Sequence, residues 1–211
     1  MTEESPTFLT VSLTEAEITA ARPAYTDIRT TGELENLLIF LKILHSAYRF
    51  QAVPLHAAVI EYEGRGYAFS AASGIGKSTH IGLWKAVFGD KVHVINGDKP
   101  FLKAVPDSEG VCQICAYGTP WCGKEGLQEN SSVPLAGLCF LERGSENSIR
   151  LCTEEETVAH FFERIPVPAC EEEADFYLQF ADKLLSHLPV YLLRCNLNSD
   201  AALTAYRGMM E

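Results

Sequence analysis

Apolar residues recur at helical spacing in the segment that follows Thr30. Side chains three and four positions apart share one face of a helix, and five leucines have that spacing: Leu34, Leu37, Leu38, Leu41 and Leu44. Thr30 and Glu33 form a capping-box pattern, which is typical of a helix N-terminus. The apolar run 37–50 contains a lysine, a histidine and an arginine, and it is shorter than the roughly 20 apolar residues of a membrane span. The pattern therefore predicts a core helix.

Two strand-like runs lead into a loop that is rich in small residues. The runs 55–62 and 67–70 flank the sequence EGRG, and a short connection that contains glycine predicts an antiparallel hairpin. From Lys77 the spacing is helical with Gly89 as a stop signal, and 91–96 then has the composition of a buried strand. The predicted order is therefore strand, glycine loop, helix, strand.

The rest of the chain alternates in the same way. The pattern predicts three further strands and three further helices, the strands at 7–13, 135–142 and 190–195 and the helices near 154–164, at 171–187 and from Ser199. Alternation of this kind is typical of the α/β class, and no repeat or Gly/Ser-rich linker divides the 211 residues. We therefore predict one α/β domain over 1–211, close to the usual domain size of about 100–200 residues.

Composition and charge narrow the range of partners. With 47% hydrophobic and 21% charged residues, the chain has the balance of a globular protein. A formal net charge of −11 disfavours nucleic acid, because such binding depends largely on lysine and arginine at phosphates. The stretch MTEESPTFLT has no secretory-signal pattern, and seven cysteines at irregular spacing indicate reduced thiols. The sequence thus predicts a cytoplasmic protein that binds neither nucleic acid nor membrane, and it is compatible with a homo-oligomer.

Cys112 and Cys115 have the spacing of a metal-ligand pair, and Cys122 follows seven residues later. A structural zinc site needs four ligands. If 111–117 is a strand, side chains three positions apart point to opposite faces of the sheet. We therefore interpret these cysteines as small apolar core residues.

The stretch SAASGIGKSTH at 70–80 has the residues of a phosphate-binding loop. In such a loop backbone N–H groups form an anion nest at a helix N-terminus, and a lysine reaches the outer phosphates. The candidate nucleotide-binding residues are Ser73, Gly74, Ile75, Gly76, Lys77, Ser78 and Thr79. The standard motif G-x-x-x-x-G-K-[ST] has glycine where this chain has Ala71, at a loop entrance where extended backbone tolerates a methyl group. The alternative is a Gly-Ser turn before an amphipathic helix with an exposed lysine.

Three residues outside this loop are candidates for the same site. Asp98 follows the next predicted strand, at the end where α/β sheets bind ligands; with the Ser78 hydroxyl it would hold Mg²⁺, or else it is a turn residue. His56 begins the strand that pairs with the one feeding the loop, so it either lies near the phosphates or is structural. Lys124, in GTPWCGK, either stabilises charge on a transferred group or lies exposed on the surface.

The sequence LHAAVIEYEGRGYAFSAASGIGKSTH followed by VINGDKP, roughly residues 50–100, resembles the catalytic domain of bacterial HPr kinase/phosphorylase. That family is related to ATP-dependent phosphoenolpyruvate carboxykinase. The stretches AYGTPWCGKEGL and PLAGLCFLERGSENSIRL look more like the small uncharacterised HPr-kinase-like proteins of bacteria. The resemblance implies a P-loop kinase core with a mixed sheet and flanking helices.

By this resemblance, His56 lies in the active site, Lys77 and Ser78 serve phosphate and metal, and Asp98 matches the metal-facing member of an aspartate pair. The first aspartate of that pair, which the family uses at the reacting hydroxyl, corresponds to Gly97 in this chain. His56 is therefore our candidate for the proton acceptor, since a neutral imidazole titrates near neutrality.

Together these features predict an ATP- and Mg²⁺-dependent kinase that transfers the γ-phosphoryl group to a hydroxyl, on a serine of a protein or peptide or on a small molecule. Gly97 keeps a second hypothesis open, namely a nucleotide-binding switch or a catalytically inactive accessory protein. A carboxykinase acting on oxaloacetate is disfavoured, because the chain lacks the length for that substrate domain. A regulatory GTPase is disfavoured because the sequence has no N-K-x-D run.

Overall fold

The computed structural model describes residues 9–210. The chain divides into two compact units, Met1–Ala47 and Tyr48–Glu211. In the described part of the chain, no helix is both long enough and apolar enough to cross a membrane. The single domain that the sequence predicts over 1–211 stays a prediction.

The first unit contains two helices, α1 (Glu15–Ala21) and α2 (Thr31–Leu44). Both begin with a capping box, in which a threonine hydroxyl and a glutamate three residues later exchange hydrogen bonds with the backbone. The predicted box at Thr30 is therefore confirmed, whereas α1 was not predicted. The apolar run 37–50 is not one helix, because α2 ends at Leu44 and Ala47–Phe50 form a separate 3-10 turn.

The strand predicted at 7–13 is wrong over residues 9–13, which have no regular secondary structure. Two contacts explain this result. Lys42 Nζ donates to the Ser12 carbonyl at 2.8 Å, so a side chain and not a partner strand satisfies this backbone oxygen. Directly afterwards Thr14 caps α1. The first two residues of the predicted strand lie outside the described residues.

The second unit is a nine-stranded sheet with helices packed against it. Its strands are β1 (Val53–Pro54), β2 (Ala57–Tyr62), β3 (Arg65–Ser70), β4 (Val92–Asn96), β5 (Phe101–Pro106), β6 (Cys112–Tyr117), β7 (Ser132–Arg143), β8 (Ser148–Leu151) and β9 (Val190–Cys195). Its helices are α3 (Lys77–Phe88), α4 (Glu154–Phe162), α5 (Glu171–His187) and α6 (Asp200–Met210). The predicted elements of this unit are confirmed with small changes at their ends, and β1, β5 and β8 were not predicted.

The long strand β7 organises the sheet. It pairs antiparallel with β6 near its start and then runs parallel to β3 and to β9. The strand order is β1-β5-β6-β7-β3-β2-β4, with β9 also on β7 and β8 beyond β9. The unit is thus a mixed α/β structure with a curled sheet and flanking helices, which agrees with the predicted class.

The hairpin of β2 and β3 positions the loop that follows it. Glu63 and Gly64 form its turn with φ of 52° and 79°, the positive values that a two-residue hairpin turn requires. The register pairs Ala57 with Ser70, and the Ser70 hydroxyl donates to the His56 carbonyl at 2.7 Å. The start of β2 therefore lies beside the end of β3, where the glycine loop begins.

Each face of the sheet has its own apolar cluster. Buried side chains of α4 and α5, such as Phe161 and Phe180, pack on one face. On the other face α3 and α6 pack around Trp84, which is fully buried and stacks on Tyr67 with ring centroids 5.6 Å apart. Because Trp84 anchors α3 on the sheet, the first turn of that helix is held in a fixed position.

Candidate functional site

The glycine loop, residues 71–76, joins β3 to α3. Gly74 and Gly76 have φ of 79° and 128°, values that side chains rarely adopt. Gly76 is the N-cap of α3 and supplies no side-chain cap, so the first N–H groups of the helix need other partners. Ala71 is buried in the apolar cluster around Trp84. Its methyl group therefore packs into the core and does not obstruct the loop.

Arg143, the last residue of β7, braces the glycine loop. Its guanidinium donates to the Gly74 carbonyl at 2.7 Å and to the Ile75 carbonyl at 3.5 Å. Both acceptors lie in the segment that would wrap a phosphate. Sequence reasoning missed Arg143, because nothing in the local pattern indicates that the end of β7 reaches residues 68 and 69 positions earlier.

A cleft of about 470 Å³ brings the predicted residues together. Its lining is His56, Ser73, Gly74, Gly76, Lys77, Ser78, Thr79, Gly97, Asp98, Gly123, Lys124 and Glu125. Of the predicted site residues only Ile75 does not line it, and Ile75 lines a neighbouring cavity instead. Four segments that are distant in sequence thus meet at one place, although their roles there stay predictions.

Three titratable side chains that line this cleft form a network with Lys99 beside it. His56 Nε2 lies 2.6 Å from Lys77 Nζ and 3.1 Å from Asp98 Oδ1. Lys77 Nζ is 3.8 Å from the same carboxylate oxygen, and Lys99 Nζ is 3.2 Å from Asp98 Oδ2. Asp98 is therefore the central anion between two lysines, and His56 Nε2 has both a cation and an anion within hydrogen-bonding distance.

The network shifts the titration of two of its members. Burial raises the pKa of Asp98, but the hydrogen bond from His56 and the charge of Lys99 outweigh it and bring the pKa to about 2. Burial lowers the pKa of Lys77, and the negative charge of Asp98 opposes this change. Asp98 is therefore ionised at neutral pH, and Lys77 is a buried ammonium group with only partial compensation.

Asn96 holds the turn that presents Asp98. Its Oδ1 accepts from the backbone N–H of Asp98 at 2.9 Å and of Lys99 at 2.7 Å, which is an Asx turn. Its Nδ2 donates to the Thr119 carbonyl at 2.9 Å, and Asn96 is completely buried. The turn-forming role that was the alternative for Asp98 is thus filled by Asn96, and the Asp98 carboxylate lies in the cleft.

Gly97 is packed against the loop that carries Lys124. A Cβ atom at position 97 would lie 2.6 Å from the Cys122 carbonyl oxygen, which is closer than real Cβ contacts allow. The carboxylate that the resembled family has at this position therefore does not fit the observed packing.

Gly97→Asp is expected to destabilise the protein and not to restore a catalytic carboxylate. Overpacking against a backbone oxygen forces a shift in the turn and should lower the free energy of unfolding by about 2 kcal/mol or more. Gly82→Ala in α3 is the control, since nothing lies within 4 Å of the added Cβ. Urea unfolding of both variants measures the effect, and wild-type stability of Gly97→Asp would contradict it.

Three further charged residues near the cleft were missed. Glu125 is next to Lys124 and lines the same cleft, and its proximity in sequence could have suggested it. Lys99 pairs with Asp98 as described. Arg164 lies in the connection after α4, where its carbonyl accepts from the His56 N–H at 2.9 Å and its positive charge contributes to the lowered pKa of Lys77. No sequence signal identifies Arg164.

The cleft could hold a divalent cation only with help from a ligand. Within residues 9–210, no three His, Cys, Asp or Glu side chains are grouped so as to hold a metal. Asp98 and Ser78 supply a carboxylate and a hydroxyl, the oxygen ligands that Mg²⁺ prefers, and phosphate oxygens commonly complete such a site. All seven cysteines are free, and Cys112 and Cys115 lie in β6, the strand assumed in the argument against zinc. Cys115 and Cys122 are buried as the core interpretation expects, whereas Cys112 is only partly buried because it lies at the start of β6.

Comparisons with known proteins find distant structural similarity but no match in sequence. No protein-family model matches the chain, and no curated protein matches it in sequence. Among solved structures, the HPr(Ser) kinase/phosphatase from Coxiella burnetii has a TM-score of 0.41 and 11% identity, over 75% of this chain and 99% of that chain. This similarity does not assign the chain to a family, so the functional argument depends on the cleft itself.

Proposed function

We propose that this protein is an ATP- and Mg²⁺-dependent cytoplasmic kinase that transfers the γ-phosphoryl group to a hydroxyl acceptor. The observation that supports it best is the cleft, in which an uncapped helix N-terminus, Lys77 and Asp98 face the same space. The uncapped N–H groups suit phosphate oxygens, and Lys77 suits the outer phosphates.

The acceptor proton is the second requirement of phosphoryl transfer. In the ligand-free network Lys77 Nζ lies within hydrogen-bonding distance of His56 Nε2. Nε2 can accept a proton only in the tautomer that is protonated at Nδ1, so it must also be free of Asp98, from which it lies 3.1 Å away. Phosphate oxygens would draw the Lys77 ammonium toward the loop, and Asp98 would be engaged at the metal, which leaves Nε2 available. The acceptor oxygen then forms the new bond to the γ-phosphorus as the bond to the β-phosphate oxygen breaks, and its proton passes to His56 and then to water. ADP leaves with the negative charge that develops on its β-phosphate oxygen.

Bound Mg²⁺ would neutralise charge on the phosphates and on the leaving oxygen. Asp98 and Ser78 are the residues that would hold it. Lys124 is distant in sequence from the glycine loop but lines the same cleft, so its ammonium could stabilise charge on the transferred group. These assignments define the variants that test the proposal.

His56→Ala is expected to lower turnover by at least about 10²-fold with little change in nucleotide affinity, since general-base help is typically worth about 10²–10⁴. The measurement combines steady-state turnover with a nucleotide-dependent thermal shift. His93→Ala, an exposed histidine on β4, is the control. An altered Mg²⁺ requirement with unchanged saturated turnover would instead indicate that His56 acts on the metal.

The direct test of the function is transfer of labelled γ-phosphate. The wild-type protein is incubated with labelled ATP, Mg²⁺ and candidate acceptors: free serine, serine-containing peptides, proteins and small alcohols. Label on an acceptor supports the kinase. Tight nucleotide binding without transfer to any acceptor would favour the second candidate, a nucleotide-binding switch or accessory protein, which the absence of a carboxylate at Gly97 also favours.

A further inference from the structure

A second cavity, which we call the side cavity, opens next to the cleft. Its volume is about 350 Å³, within the range of small-molecule sites, which is about 300–1,000 Å³. Its lining is Ile75, Gly76, Thr79, His80, Leu83, Leu141, Glu142, Arg143, Gly144, Cys195, Asn196 and Leu197. Gly76 and Thr79 belong to both cavities, so the two spaces meet at the start of α3.

We propose that the side cavity binds the nucleoside of the nucleotide, so that the base lies between α3 and the ends of β7 and β9. This inference rests on the proposed function and specifies the orientation of its nucleotide. The reacting phosphate must lie near Lys77 Nζ, which is at the end of the cleft occupied by His56 and Asp98. The nucleoside must then leave the loop in the other direction, past Thr79, where the side cavity begins.

The walls of the side cavity suit a flat, largely apolar ring. Ile75, Leu83, Leu141 and Leu197 contribute apolar surface. Leu197 is 74% exposed, and a bound base would cover part of it. Burial of this surface would favour binding through the hydrophobic effect.

Three polar side chains of the side cavity already have hydrogen-bond partners. Glu142 accepts from Arg194 Nε at 3.1 Å. Arg143 donates to the Gly74 carbonyl, and Asn196 donates to the Ser145 carbonyl at 3.1 Å. His80 is the exception: its Nε2 accepts from Trp84 Nε1 at 3.1 Å, and its buried Nδ1 has no hydrogen-bond partner within residues 9–210. In the neutral ring Nδ1 carries the proton, so it can donate to a nitrogen or carbonyl oxygen of a bound base.

The test compares ATP with inorganic tripolyphosphate, which has the phosphates without the nucleoside. Leu83→Trp fills part of the side cavity and is expected to weaken ATP binding at least tenfold while tripolyphosphate binding stays unchanged. Leu197→Asp, at an exposed position, is the second variant and needs no change in the core. Leu178→Trp, an exposed leucine on α5, is the control.

The outcomes separate the two proposals. Selective loss of ATP affinity in Leu83→Trp or Leu197→Asp supports the nucleoside position. If both variants bind ATP as the wild type does, this inference is overturned while the proposed function stands. If Leu83→Trp unfolds or loses affinity for both ligands, Leu197→Asp alone decides. If the wild type binds neither ATP nor tripolyphosphate, the proposed function fails and this inference fails with it.

Discussion

Lys77→Ala is expected to abolish the rise in melting temperature on addition of Mg-ATP and to lower kcat/KM by about 10³-fold or more. A single cation at the transferred phosphoryl group is worth about 10³–10⁵ in related chemistry. The thermal shift follows from mass action, because any ligand that binds only the native state stabilises it. Differential scanning calorimetry with and without nucleotide measures the first effect, and initial rates measure the second.

Two comparisons make the Lys77→Ala result specific. Lys85→Ala removes an exposed lysine from the last turn of the same helix and should leave both measurements unchanged. In the absence of ligand, the free energy of unfolding of Lys77→Ala should be close to that of the wild type, because burial already disfavours the Lys77 charge. A wild type whose melting temperature does not respond to saturating nucleotide would refute the phosphate-binding interpretation of the glycine loop.

Asp98→Asn is expected to remove most of the Mg²⁺ dependence of turnover and to lower the rate by about 10³-fold or more. The amide keeps the shape of the side chain but loses the negative charge that a hard cation needs. A titration of turnover against Mg²⁺ concentration measures the change. Asp90→Asn, at an exposed position after α3, is the control, and an unaltered titration in Asp98→Asn would show that Asp98 does not hold the metal.

The same variant should reveal the charge of Asp98 in the ligand-free protein. The pKa of this carboxyl is lowered from 3.8 to about 2. A lowered pKa in the folded state stabilises the protein above the unfolded value, and this contribution is lost as the pH falls toward the folded value. The difference in unfolding free energy between wild type and Asp98→Asn should therefore be constant near neutral pH and shrink as the pH falls from about 4 to about 2.

Local signals were enough to predict the elements around the cleft. The hairpin turn at Glu63 and Gly64 has positive φ at both positions, and the short EGRG sequence supplies a glycine that accepts it at the second. Likewise α3 begins at Lys77 and ends before Gly89, as glycine signals at both ends indicate. These features depend on neighbours in sequence, so the sequence alone identifies them.

Features that depend on pairing between distant segments could not be predicted in this way. The brace from Arg143 exists only because β7 runs parallel to β3, and no local pattern shows that. In the sequence, Gly97 stands where the resembled family has an aspartate. In the structure, the absence of a side chain at Gly97 allows close contact with the Cys122 carbonyl. The strand predicted at 7–13 is absent over residues 9–13 for the same reason, because a strand needs a partner that the local pattern does not reveal.

The hydrogen bonds from Arg143 determine when the glycine loop loses its conformational entropy, at folding or at ligand binding. A loop that is free to move must be ordered when a ligand arrives, and that loss of conformational entropy weakens binding. Here the guanidinium fixes two loop carbonyls before any ligand is present. The entropy of ordering the loop is therefore lost when the sheet folds, and Arg143, at the end of β7, would in this way strengthen the binding of phosphates at the loop.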